Sequence, residues 1–196
     1  MTNKVVAVLV VALAAVACDQ ASPSRPSSIE PAASSPSVVP SRTGFGFNGV
    51  VSGFATGEVF LTGGGAFDRL SGFVKSGGGF RCVKDVLQGP LSTSINPDNP
   101  GPCLAGEGVR WDTAALLAST TFKCTGAATE PLKTAVTSDD TVVLQADFYR
   151  AGDGNEESFT AKIIVSDRDI ASDFPGARLW VERVGCGNGQ AVNFSK

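Results

Sequence analysis

Thr141-Val142-Val143-Leu144-Gln145-Ala146-Asp147-Phe148-Tyr149-Arg150 and Ser158-Phe159-Thr160-Ala161-Lys162-Ile163-Ile164-Val165-Ser166-Asp167 are the two stretches on which the fold assignment turns. In the first, Val142, Leu144, Ala146 and Phe148 alternate with Val143, Gln145, Asp147 and Tyr149. In the second, Phe159, Ala161, Ile163 and Val165 alternate with Thr160, Lys162 and Ile164. Successive strand side chains point to opposite faces of a sheet, so this period of two puts one set on a core face and the other on a mostly wet one. Ala151-Gly152-Asp153-Gly154-Asn155-Glu156 between them has turn chemistry, and the pair reads as a hairpin with a long loop.

Working outward, short runs rich in Val, Phe, Thr and Ile recur at 57–62, 72–75, 80–86, 122–124, 132–137, 178–184 and 190–194, separated by Gly, Pro, Asn and Asp clusters. Many short strands with such punctuation predict an all-β domain, an antiparallel β-sandwich or jelly-roll-like fold with long loops. One segment, Asp112 to Ala118, reads instead as a short helical turn capped by Asp112 ahead of Ala114-Ala115-Leu116-Leu117. Two glycine runs, Gly63-Gly64-Gly65 and Gly77-Gly78-Gly79, read as strand ends or bulges, or as a place where a ligand or another backbone approaches closely.

The amino terminus sets the cellular context. Met1-Thr2-Asn3-Lys4 precedes an apolar run from Val5 to Ala17, then Cys18-Asp19. A positive n-region, a short apolar stretch and small residues before the cut describe an export signal, too short to span a bilayer. Ala15-Val16-Ala17-Cys18 resembles the lipobox of bacterial lipoproteins. The resemblance implies removal of residues 1–17, lipidation of Cys18 and a membrane as partner, with Asp19 resembling a signal for inner-membrane retention in some diderm bacteria. Ala15-Val16-Ala17 also satisfies the rule for ordinary secretory cleavage, but a Cys directly after the cut followed by a polar spacer favours a tether. Residues 18–42 form that spacer. They are rich in Ser, Pro and Ala, with prolines at 23, 26, 31, 36 and 40 and no hydrophobic period, so they read as a disordered, semi-stiff linker. Residues 43–196 then form one domain.

Setting Cys18 aside, Cys82, Cys103, Cys124 and Cys186 remain in an exported domain, where an even number implies disulfides. Three pairings are open. Cys82 with Cys103 and Cys124 with Cys186 is preferred, the first stapling an irregular loop to its strand and the second tying a middle strand to the last. No CxxC spacing supports a metal centre, and none is expected.

Composition excludes several chemistries. The chain has no His, which removes Ser-His-Asp and Cys-His catalysis and His-containing zinc sites. A net charge of −3 and a pI near 5.0, without a basic stripe, argue against nucleic acid as a partner. Gly44-Phe45-Gly46-Phe47-Asn48-Gly49 matches GxGxxG formally, yet a Ser/Pro spacer precedes it and no helix follows, so it reads as a first edge strand and no nucleotide or other cofactor is expected. Asp153, Asn155 and Glu157 alternate like the start of a calcium loop, but Ser158 stands where an EF-hand needs Gly and Ile164 where it needs Glu. These three read as turn residues, with a looser ion or ligand site as the alternative. Trp111 and Trp180 offer stacking faces for a sugar or apolar ligand, with core packing as the competing use. Glu58, Asp68, Glu107, Asp112 and Glu182 are the carboxylates from which a glycosidase-type acid and base would be drawn. The leading reading is an exported, membrane-anchored, non-catalytic module for ligand binding or envelope interaction, with a glycan or envelope protein as partner. A small carboxylate-dependent carbohydrate-active enzyme and a purely structural envelope protein are the alternatives.

Overall fold

The computed structural model describes residues 42–87, 103–149 and 157–196. The signal segment, Cys18, the spacer to residue 41, the 88–102 loop and the 150–156 loop with Asp153 and Asn155 lie outside the described residues, as does the side chain of Glu157. The described part is built of ten strands: β1 Thr43–Gly53, β2 Glu58–Asp68, β3 Phe73–Lys84, β4 Gly108–Leu117, β5 Ser119–Phe122, β6 Lys133–Val136, β7 Thr141–Tyr149, β8 Glu157–Ser166, β9 Ala177–Val181 and β10 Gly185–Ser195.

All pairings are antiparallel, and eight strands close into a barrel in the order β1-β10-β9-β8-β7-β4-β3-β2, while β5 and β6 form a separate two-stranded sheet. The domain is therefore all-β, but a closed up-and-down barrel replaces the expected sandwich or jelly roll. Closure depends on β1, which pairs with β2 from Thr43↔Phe67 to Ser52↔Glu58 and also with β10 from Gly44↔Ser195 to Gly53↔Gly185. The alternating Phe and Gly of β1 thus belong to a strand bonded on both sides, not to an edge. Closing a sheet on itself removes edges that a sandwich leaves open.

The two glycine runs lie in mid-strand. Gly63 pairs with Gly78 and Gly64 with Gly77, and β2 and β3 run straight through them. Trp111 is the reason for the first of them. Its indole is fully buried inside the barrel, 6.0 Å from Phe47, and its Nε1–H donates to the Thr62 carbonyl at 3.1 Å. A Cβ on Gly63 would stand 2.3 Å from Trp111 Cζ2, so the bare backbone of β2 makes the room that the indole fills.

The expected helical turn at Asp112 to Ala118 is the second half of β4. Trp111 pairs with Phe148 and Leu116 with Leu144, with a bulge between Thr113 and Ala115. Ala and Leu favour helix as isolated residues, yet pairing with β7 and the partial burial of Leu116 against the interior core and Leu117 against the outer one override that preference.

Alternation along β7 to β10 serves two cores. Val142, Leu144, Ala146, Ile163, Val165, Leu179 and Val181 face inward with Phe45, Phe47, Leu61, Phe67, Phe80 and Trp111. Their neighbours Val143, Ile164, Trp180 and Cys186 face outward and are covered by Phe122, Cys124, Ala135 and Ala171 into a second, outer core. Both preferred disulfides form: Cys82–Cys103 ties β3 to the strand of chain leading into β4, and Cys124–Cys186 ties the segment after β5 to β10.

Candidate functional site

The strands part at the end of the barrel where β1 begins, and this is where the clefts lie. β3 and β4 are paired only from Gly77↔Asp112 to Arg81↔Gly108. Beyond Ser76, whose hydroxyl bonds that of Thr113, the two strands diverge. The β2–β3 turn stands on one side of the gap. The Asp68 carboxylate accepts hydrogen bonds from the Ser71 hydroxyl at 2.7 Å and the Leu70 N–H at 2.9 Å, and Gly72 takes a φ of 72° to complete the turn. The Ser71 hydroxyl, followed by the Leu70 N–H, holds Asp68 below its ordinary pKa. This turn presents Leu70 at its tip, 87% exposed.

On the other side β4 ends at Leu116, Leu117 and Ala118, roofed by Val136 and Thr137. The Thr137 hydroxyl donates to the Leu117 carbonyl at 2.6 Å and accepts from the Val143 N–H at 3.1 Å, which pins the end of β6 across the end of β4. Between the two sides lies a cleft of about 540 Å³ lined mainly by Leu70, Leu116, Leu117, Ala118 and Val136, with Arg69 beside them. Arg69 donates to Asp139, which also accepts from Lys196. The Lys196 ammonium, with Arg69 adjacent, keeps Asp139 below its ordinary pKa. Two cationic side chains share this one side-chain carboxylate, and Asp140 beside it pairs with Arg168.

A second depression lies on the outer wall. Gly46, Gly64 and Gly77 follow one another across β1, β2 and β3, with Asn193 of β10 beside the first and Asp112 of β4 beside the last. Hollows of about 530 and 390 Å³ meet at Gly77 and Asp112, and their linings include Arg42, Phe73, Lys75, Arg110 and Tyr149. The Arg42 guanidinium lies 4.1 Å from the Phe73 ring centre. The Tyr149 hydroxyl donates to Asp112 at 2.6 Å, and that bond raises the phenol above its ordinary pKa. Asp147 stands directly opposite Asp112 across β4 and β7.

The sequence candidates are scattered. Trp111 belongs to the barrel interior, and Trp180 is 4% exposed in the outer core, its Nε1–H donating to the Lys123 carbonyl, so neither indole presents a face to solvent. Glu58 pairs with Lys84, Glu182 accepts from the Lys162 N–H, and Glu107 accepts from the Leu104 N–H; each is committed locally. Of the named carboxylates Asp112 lines the outer-wall hollows, and the β4–β7 register sets a second acid, Asp147, opposite it. Among the described residues no group of three or more Cys, Asp or Glu is placed to hold a metal ion.

Sequence reading passed over Glu130. It is almost fully buried and accepts from the N–H groups of Cys124, Thr125 and Gly126, the Thr125 hydroxyl and Lys133. Burial by itself would raise its pKa; the bonds from Lys133, Thr125 and the backbone outweigh that and bring it down to about 2. Glu130-Pro131 in a polar stretch carries no local sign of such a role. The turn at Asp68-Arg69-Leu70-Ser71, by contrast, has a recognisable side-chain-to-backbone pattern. No family model matches the chain, and no curated protein or solved structure does either.

Proposed function

We propose that this chain is an exported lipoprotein, anchored through Cys18 to a membrane of the bacterial cell envelope, whose barrel is a non-catalytic binding module. The cleft between the β2–β3 turn and the end of β4 carries this reading: about 540 Å³ with a mainly apolar lining and the Arg69, Lys196 and Asp139 cluster close by. A space of that size and character suits an amphiphile with an apolar body and an anionic head. Buried side chains, Trp111 and the phenylalanines among them, pack the barrel interior, so the ligand is taken at the end and not inside. The spacer joins the barrel at Thr43, beside Phe67 and so at the same end as the cleft, which suits a ligand met near the anchoring surface. Fatty acids and lysophospholipids should raise the melting temperature saturably, because a ligand of the native state stabilises by mass action. Leu70→Ser and Val136→Ser, both at exposed positions, should abolish that rise and leave the unliganded melting temperature unchanged. A rise that persists in both variants, or no rise with any amphiphile, overturns the reading.

A carbohydrate-active enzyme is the second reading, favoured by one observation: Asp112 and Asp147 face each other on the outer wall with Tyr149 bonded to the first. It requires glycan turnover that Asp112→Asn and Asp147→Asn each abolish.

A further inference from the structure

Besides the gap between β3 and β4, the closed barrel has a second stretch of strand with a bare edge. β9 pairs with β10 only from Gly185↔Val181 to Asn188↔Ala177, whereas β1 stays paired to β10 as far as Ser195. From Gln190 to Ser195, β10 therefore has β1 on one side, and among the described residues no backbone or side-chain hydrogen bond reaches its other side. In an antiparallel strand every second residue turns its N–H and C=O to that other side, where they remain free to pair with another chain.

Free edges are normally guarded by charge, proline or a bulge that turns the strand away. Gln190-Ala191-Val192-Asn193-Phe194-Ser195 has no charge and no proline, and its bulge falls at Gln190, where the stretch begins, leaving Ala191 to Ser195 paired to β1 without interruption. Ala191, Asn193 and Ser195 are exposed, while Val192 and Phe194 are only half-buried against the interior core. Within the chain itself the remaining material is a poor fit. Prolines at 23, 26, 31, 36 and 40 break the spacer into proline-free runs of at most five residues, poor material for a strand, and the 88–102 loop leaves and rejoins the barrel at the opposite end, by the Val86↔Cys103 bridge. The strand best matched to this edge is β10 of another molecule.

We propose that two copies of this chain pair through β10, antiparallel about a twofold axis at Asn193. Such an interface is isologous and closes at two subunits. The register sets Ala191 opposite Ser195 and Gln190 opposite Lys196, so the single charge at the strand's end meets a neutral residue. It also brings the half-buried Val192 and Phe194 of both copies to one seam. The proposal does not depend on the amphiphile reading, since β10 contributes no residue to the lining of that cleft.

Cysteine substitution in the full, exported chain tests it. Asn193→Cys should crosslink to itself under mild oxidation, because Cα atoms of directly opposed antiparallel residues stand about 4.5–5.5 Å apart, within disulfide reach. Ala191→Cys should crosslink to Ser195→Cys when the two are co-expressed and much less to itself. Thr160→Cys, exposed on β8, is the control for random collision. Asn193→Lys sets like charges against each other and should weaken self-association in sedimentation by about tenfold or more. It also leaves the melting temperature of the monomer in place, which separates lost pairing from lost folding. The proposal is overturned if Asn193→Cys links no more than the Thr160→Cys control. It is equally overturned by a chain that stays monomeric while the 190–195 amides exchange slowly, since its own residues would then cover the edge.

Discussion

Trp111 and Trp180 occupy the centres of two cores that are stabilised differently. Inside the barrel, Trp111 rests against Phe47 and Phe45 stacks on Phe47 and Phe194, with glycine backbone making the space. Outside it, Trp180 rests against Phe122 next to the Cys124–Cys186 disulfide, and the buried Glu130–Lys133 pair holds the chain just beyond. The interior gathers side chains from all eight barrel strands together with the Cys82–Cys103 bond, and its stability comes mainly from apolar area and shape. The outer core has a small sheet as its lid. Beside its own covalent bond it adds a charged network to the apolar contact. Lys133 shows the same environment: burial would lower its pKa, but Asp173 and Glu130 together raise it.

The contrast can be broken most severely from the inside. Trp111→Ala leaves a void facing glycines that have no side chains with which to refill it, and should cost about 3–5 kcal/mol in urea unfolding. Loss of a single cooperative transition would show that the barrel depends on that indole for closure. A cost under 1 kcal/mol would mean that the strands collapse onto the space. Replacing Cys124 and Cys186 together with Ala should cost about 4 kcal/mol, since the bond spans 62 residues. If the two cores are separately stabilised, hydrogen exchange should quicken in β5 and β6 before it does in β2 and β3.

Glu130→Gln is the smallest of the three, about 2 kcal/mol at pH 7. Its pH dependence sharpens the comparison. A carboxylate with a folded pKa of about 2, against an ordinary 4.5, contributes stability that is complete above 4.5 and is lost as pH falls toward 2. The wild-type chain should therefore lose stability across that window, and the Gln variant should lose less, as read from urea midpoints at pH 7, 4 and 2.5. Equal losses in both chains would assign the acid sensitivity elsewhere.

How much was legible follows from the range of the interactions. The β7–β8 hairpin was readable because its alternation is local and both partners are adjacent in the chain. β5, β6, β9 and β10 were placed within a few residues for the same reason. The glycine runs read as strand ends, bulges or places of close backbone approach; the last holds, since Gly64 and Gly78 meet the backbone of Phe45 and Thr62, while Gly63 makes room for an indole 48 positions away in β4 that no local pattern announces. The Asp112 to Leu117 segment was misread because its helical preference is a property of single residues, while its strand state comes from β7. Asp112 was on the list of acids, but its partner Asp147 is set by the β4–β7 register, which no spacing along the chain expresses.

The sequence by itself determined the antiparallel all-β class, the approximate places of most strands, that four cysteines would form disulfides and the chemistries that a chain without His forgoes. Each of these rests on composition, on a period of two or on neighbouring segments. Only the tertiary structure decided that the sheet closes on β1, that outward Val143, Ile164 and Trp180 carry a second core, and that the apolar cleft opens where β3 leaves β4. Those outcomes depend on which distant strands pair and in what register, and a one-residue slip would turn every side chain to the opposite face.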